Sequence, residues 1–538
     1  YPEYNINKIY LDAYKQITTP GGGRYPDVTD AINNQIYSGT LMMNYVGHGG
    51  VAGWAHERIL GVSDFQNWSN FDKLPLFVTA TCEFSRYDEI GATSAGEYLM
   101  LNPNGGAIGL VTTVRLVYSS ANYDLNSNFT RQIFAETNGQ HPTLGYAIME
   151  GKNNVTTDAV NNRKFTLLGD PALTLNYPQL NVYTTKINGH DVGTVQDTMK
   201  ALSKITVEGK VTDESGNLLS NFNGVVYPTI YDKKQTYYTL ANDAGSAVVA
   251  FVMQKNILYN GKASVRNGLF SFTFIVPKDI TYNFGKGKIS YYAENGTDDA
   301  NGYDTTFTVG GTADTFATDN QGPLVNVYMN NINFAFGGIT DANPYVLVKL
   351  SDENGINTSG TGIGHNITGV LDDNSQSTLV MNDFYETDLD SYQSGSVRYP
   401  LKNIADGLHT MRVKAWDTYN NSGTGYTEFV VASSATEGLQ HVLNYPNPFT
   451  TNTSFMFETN LSGSLLHVKI EIYSIAGNLV KTIRQDVMND GYRVTGINWD
   501  GLDDFGNNIG RGVYVYKVSI ATDDGKTASA FQKLVILK

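Results

Sequence analysis

Residues 41–50 read LMMNYVGHGG and residues 74–82 read LPLFVTATC. Each is a short apolar run ending on a residue that can do chemistry: His48 inside a glycine-flanked turn, and Cys82. Apolar runs of about four to eight residues closed by a turn signal suit strands buried on both faces. A third such run lies at 107–111. Around these runs the period becomes helical. Pro26–Ser38 places Val28, Ile32 and Ile36 on one face, and 94–101 is stopped by Asn102-Pro103. Further helices are expected at 122–136 and 144–162. Strands alternating with helices predict an α/β domain with a largely parallel, covered sheet.

Open parallel sheets bind ligands at the carboxyl ends of their strands. If the two quoted strands are neighbours, His48 and Cys82 face each other across that edge. An imidazolium beside a thiol favours the thiolate, which is the nucleophilic form. The glycines around His48 let backbone approach a substrate closely. The amides of Gly49 and Cys82 then make a candidate oxyanion hole. The competing reading is a histidine and a cysteine that merely pack at strand ends.

Cys82 is the only cysteine, which excludes an internal disulfide framework and a cysteine-rich metal site. A net charge of −15 argues against nucleic-acid binding, which needs clustered Lys and Arg. No stretch approaches the roughly 18 uninterrupted apolar residues of a membrane span. The chain opens at Tyr1 without Met or a leader pattern, so an upstream part is expected to be missing.

Beyond about residue 180 the helical period vanishes. Alternating runs such as KITVEGKVTD, LFSFTFIV and KISYYAE are separated by Gly, Asn and Asp clusters, the spacing of β-sandwiches. With 538 residues the chain exceeds a single core. The expected domains are an α/β unit at 1–178 and β-sandwiches at 179–312, 313–436 and 437–538. The breaks fall near 310–322 and in the loop 433–438.

Asn44-Tyr45-Val46-Gly47-His48-Gly49-Gly50, Gly53-Trp54-Ala55-His56-Glu57-Arg58 and Thr79-Ala80-Thr81-Cys82-Glu83-Phe84-Ser85-Arg86 together resemble the gingipain-type cysteine peptidases. Support comes from 112–120, 168–173 and 268–272. The resemblance implies a caspase-like fold with His48 as general base and acid and Cys82 as nucleophile. It also implies oxyanion amides at Gly49 and Cys82. The family's orienting acid lies well upstream of the histidine, so no third member is assigned. Glu57 and Asp88 read as structural or substrate-side charges, and Arg86 and Arg115 as surface ion pairs. His56 reads as a loop residue that hydrogen-bonds, since no zinc-spaced ligand follows it.

The sequence calls for no cofactor. The loops Asp298-Asp299-Ala300-Asn301 and Asp500-Gly501-Leu502-Asp503-Asp504 have calcium-like oxygen density without the EF-hand order, and read as turns. Asn-Gly-Thr at 295–297 and Asn-Thr-Ser at 452–454 have the form of glycosylation sequons.

Tyr445-Pro446-Asn447-Pro448-Phe449, Trp499-Asp500-Gly501-Leu502-Asp503-Asp504 and Gly512-Val513-Tyr514 give the last module the look of a type IX sorting domain. The match is to the sortase branch of the family. It implies a peripheral enzyme on the outer membrane of a Gram-negative bacterium, at the cell surface. Its substrates would be exported proteins bearing a C-terminal sorting domain, and its acceptor an anionic lipopolysaccharide. Residues 437–538 would dock on a PorV-like outer-membrane β-barrel. The alternatives are a secreted gingipain-like endopeptidase that sheds its tail, and a non-catalytic surface scaffold or adhesin.

Overall fold

The computed structural model describes residues 2–137, 139–155, 159–359, 364–375, 377–432, 439–461, 464–489 and 493–537. They form two compact units: 1–179 with 234–255, and 180–233 with 256–538.

The first unit is a three-layer α/β domain. Its sheet has β1 (Met42–Val46), β2 (Leu76–Ala80), β3 (Gly109–Thr113) and β4 (Phe165–Leu168) in that spatial order. β1–β2 and β2–β3 are parallel, with Val46 opposite Ala80 and Val78 opposite Val111. Every residue of β2 and β3 is buried, as strands covered on both faces require. Alternation splits their side chains between two cores. Phe77 and Leu110 pack with α1 (Pro26–Ser38), whose Val28, Ile32 and Ile36 are buried as the spacing predicts. α2 (Ala95–Met100) joins them through Ala95 and Leu99. Leu76, Val78 and Val111 pack on the other face with α3 (Ser119–Ile133) and α4 (Leu144–Asn153).

Two features depart from the expectation. β4 runs antiparallel to β3, pairing Phe165 with Thr113. The two consecutive helices α3 and α4 carry the chain away from the carboxyl edge and back to it, so the next strand can only descend. The helix expected at 144–162 ends at Asn153 and a short turn of helix resumes at Ala159–Asn162; residues 156–158 lie outside the described residues.

The second unit is a series of β-sandwiches. In the first, a sheet containing Lys204–Thr212, Gly224–Tyr231 and Lys288–Glu294 accompanies a three-stranded sheet, Thr198–Ala201, Thr308–Thr312 and Gly285–Lys286. Val207, Ile230, Phe274 and Phe307 fill the core. The next has four- and five-stranded sheets around Val348, Val397, Met411 and Phe429. The last has three- and four-stranded sheets around Phe455, Ile470, Trp499 and Tyr516. The expected break at 433–438 lies outside the described residues.

The hairpin Gln235–Tyr238 with Ala250–Met253 interrupts the first sandwich in sequence yet belongs to the first unit. Its tip is held by Asp12, whose carboxylate accepts from the amides of Ala241 (3.1 Å) and Asn242 (2.9 Å). The Leu240 amide donates to the Asp12 carbonyl at 2.6 Å. No sequence signal marks this excursion, because the contact spans more than 200 residues.

Candidate active site

The parallel register puts the ends of β1 and β2 side by side, and His48 and Cys82 each lie two residues past the paired Val46 and Ala80. The backbone around His48 is pinned. Its carbonyl accepts from the Tyr45 hydroxyl at 2.6 Å and the Ala55 amide at 2.8 Å, and the Gly47 amide donates to Ala80. Tyr45 lies flat on buried Trp54, ring centroids 4.2 Å apart. Burial drives the Tyr45 phenol well above its ordinary range, so it stays a hydrogen-bond donor. A three-stranded ladder, Gly49–Gly50, Gly53–Trp54 and Leu60–Gly61, follows the turn. Gly53 has φ +142°, and a Cβ there would lie 2.1 Å from the Leu60 carbonyl oxygen, so only glycine closes this ladder.

Cys82 is partly buried. Its thiol lies against the backbone of Val117, donating to the carbonyl (3.6 Å) and accepting from the amide (3.5 Å). The loop after β3 is fixed in turn. The Glu83 amide donates to the Arg115 carbonyl, the Ser85 amide to that of Thr113, and the Tyr118 amide to the Asn161 side chain at 3.1 Å. Asn161 is fully buried and donates to Asn122 on α3. The Cys82 amide has no acceptor among the described residues, the state an oxyanion donor needs before substrate arrives. Glu83, directly after the cysteine, has φ +50°, and Ala55 and Arg58 also lie in the left-handed region. Such backbone clusters where a site must be held in one shape.

No hydrogen bond joins His48 to Cys82. Among the described residues the exposed His48 ring makes no hydrogen bond, and its ring partner is His56, centroids 5.4 Å apart and planes 13° from parallel. His56 therefore stacks rather than hydrogen-bonding as the sequence suggested. Apo cysteine–histidine pairs are often loose and tighten with substrate. The charges near Cys82 neutralise each other: Arg86 pairs with Glu89 (2.8 Å) and Glu83 (3.5 Å), and Arg115 grips Asp88 at 2.8 Å. The Arg115 hydrogen bond holds the Asp88 carboxyl below its usual value.

Carboxylates converge elsewhere than the two loops considered above. Asp298 and Asp503 serve turns: Asp298 accepts from Asn295, and Asp503 accepts from the amides of Phe505 and Asn507. In the second unit the carboxylates of Asp319, Asp352 and Asp417 lie within 4.8 Å of one another, the one such group among the described residues. They come from three separate loops, which local sequence reading does not join.

Comparison with known families now bears on this arrangement. Residues 1–176 match peptidase family C25. That segment, a gingipain-like domain, contains both strand ends together with His48 and Cys82. Residues 445–524 match the FlgD Ig-like domain. A search of curated proteins finds no match. Among solved structures, dimeric latent PorU from Porphyromonas gingivalis is 29% identical over 76% of this chain and 39% of its own, with a TM-score of 0.33. The complex of Porphyromonas gingivalis RgpB pro- and mature domains is 16% identical over 53% of this chain and 58% of its own, with a TM-score of 0.27. The chain thus spans about two-fifths of the PorU chain it matches.

Proposed function

We propose that the chain is a cell-surface sortase of the type IX secretion system, peripheral to the outer membrane of a Gram-negative bacterium. The observation that carries the chemistry is the β1–β2 register, which sets His48 and Cys82 on adjacent strand ends inside the segment matched to peptidase family C25.

The Cys82 thiolate attacks the carbonyl carbon of the peptide bond preceding the cargo's C-terminal sorting domain. A C–S bond forms, and the amides of Gly49 and Cys82 hold the oxyanion. The C–N bond then breaks as His48 gives its proton to the leaving amine, which departs with the sorting domain. An amine of an anionic lipopolysaccharide attacks the thioester, loses its proton to His48 and releases the thiolate, leaving cargo joined by an amide. Water in the same role gives a free acid, so exclusion of water decides between transfer and hydrolysis. The sandwich at the C-terminus, with its FlgD Ig-like match and its sorting-type motifs, supports docking of 437–538 on an outer-membrane β-barrel.

The test is Cys82→Ala in the producing organism, with mass spectrometry of surface-protein C-termini. Cargo that keeps its sorting domain is the expected result. Cargo trimmed and anchored as usual would refute the proposal.

A further inference from the structure

His56 occupies one of two central positions of a tight turn. The Arg58 amide closes it on the Ala55 carbonyl at 3.2 Å, and the Ile59 amide donates to Trp54. Both ends of that turn, Ala55 and Arg58, take positive φ (59° and 53°), a conformation costly for residues with a Cβ. The same turn is bonded to His48 itself, through the Ala55 amide on the His48 carbonyl at 2.8 Å. The rings meet nearly parallel, at 5.4 Å between centroids and 13° between planes. That spacing lies inside the range of offset aromatic stacks. Both residues are exposed, and His48 has no hydrogen bond among the described residues to fix its ring.

We propose that His56 is a positioning residue for His48, a ring wall that limits the imidazole to one rotamer. The inference rests on the reading of His48 as the base of Cys82. It follows from two observations that share no atoms: the ring contact, and a strained turn whose backbone is bolted to the residue it flanks. An aromatic ring at 56 is what the role requires, whereas a hydrogen-bonding group is not. A misplacement of about 1 Å in a reacting group costs up to about a hundredfold in rate, so a loose wall has a measurable effect.

The experiment is the second-order rate of Cys82 alkylation by iodoacetamide in the 538-residue chain and in His56→Ala, His56→Phe and His48→Ala. His56→Ala is expected to slow alkylation at least tenfold, and His56→Phe to stay within threefold of the parent. Thermal midpoints are expected to agree within a degree, because His56 is exposed. Rescue by Phe separates a ring wall from a general structural effect. His56→Ala within twofold of the parent overturns the proposal, as does equal slowing by Ala and Phe. His48→Ala reporting parental rates overturns the underlying reading instead.

Discussion

Gly49 shows how tightly the site is built at the level of single residues. A Cβ there would stand 2.6 Å from the Thr81 hydroxyl and 3.0 Å from the Gly53 carbonyl. Thr81 is buried and its hydroxyl has no partner among the described residues, so the space is bounded by a side chain with little freedom. Gly49→Ala should cost about 1–3 kcal/mol through overpacking, read as a lower urea midpoint. Thr81→Ala in the same chain should return part of it. Asp352 makes a second prediction. Burial, with Asp417 and Asp319 nearby, pushes its carboxyl up to about 6. A folded value above the unfolded one means the folded state holds the proton more tightly, so stability is lost as pH rises from about 4 to about 6. Asp352→Asn should flatten that fall, by about 1 kcal/mol after solvent screening is allowed for; urea midpoints at pH 4.5 and 7 would show it. The placing of His48 and Cys82 past neighbouring strand ends was legible because each closes an apolar run. The stack of His56 on His48 was not, since spacing along a loop carries no information about ring contact.

At the scale of elements, the strands and helices that carry the site follow from local pattern: Val28, Ile32 and Ile36 define α1, and short runs rich in apolar residues mark β2 and β3. What local pattern lacks is direction and partner. The antiparallel entry of β4 depends on the two helices before it, and the hairpin at 235–253 finds its place through Asp12. The amide of Asn242, foremost among several hydrogen bonds, holds the Asp12 carboxyl below its ordinary value. A depressed carboxylate stabilises above its unfolded value and loses that contribution as pH falls through the folded one. The clasp should therefore persist at neutral pH and loosen below about pH 4. Asp12→Ala should release the exposed tip at 243–248, giving at least tenfold faster cleavage there by a non-specific protease, located by mass spectrometry.

For the molecule as a whole, the first two sandwiches of the second unit are joined by side chains rather than by linker alone. Asp390 accepts from the Ser264 amide (2.6 Å) and hydroxyl (2.7 Å), while Asp279 accepts from Asn420 (2.6 Å) and meets the His365 ring at 2.6 Å. These contacts are expected to couple the melting of the two modules. Asp279→Ala with Asp390→Ala should resolve their shared calorimetric transition into two. The fold class and the run of sandwiches were readable because alternation and turn spacing are local. The junctions were not, because Asp390 and Ser264 are ordinary loop residues until the fold brings them together. Everything proposed for this molecule's function rests on one pair of residues, and one measurement reaches it: the rate of Cys82 alkylation by iodoacetamide at pH 6 in the intact chain and in His48→Ala. A thiol activated by a neighbouring imidazole should react at least tenfold faster in the parent; equal rates in the two chains would contradict the account.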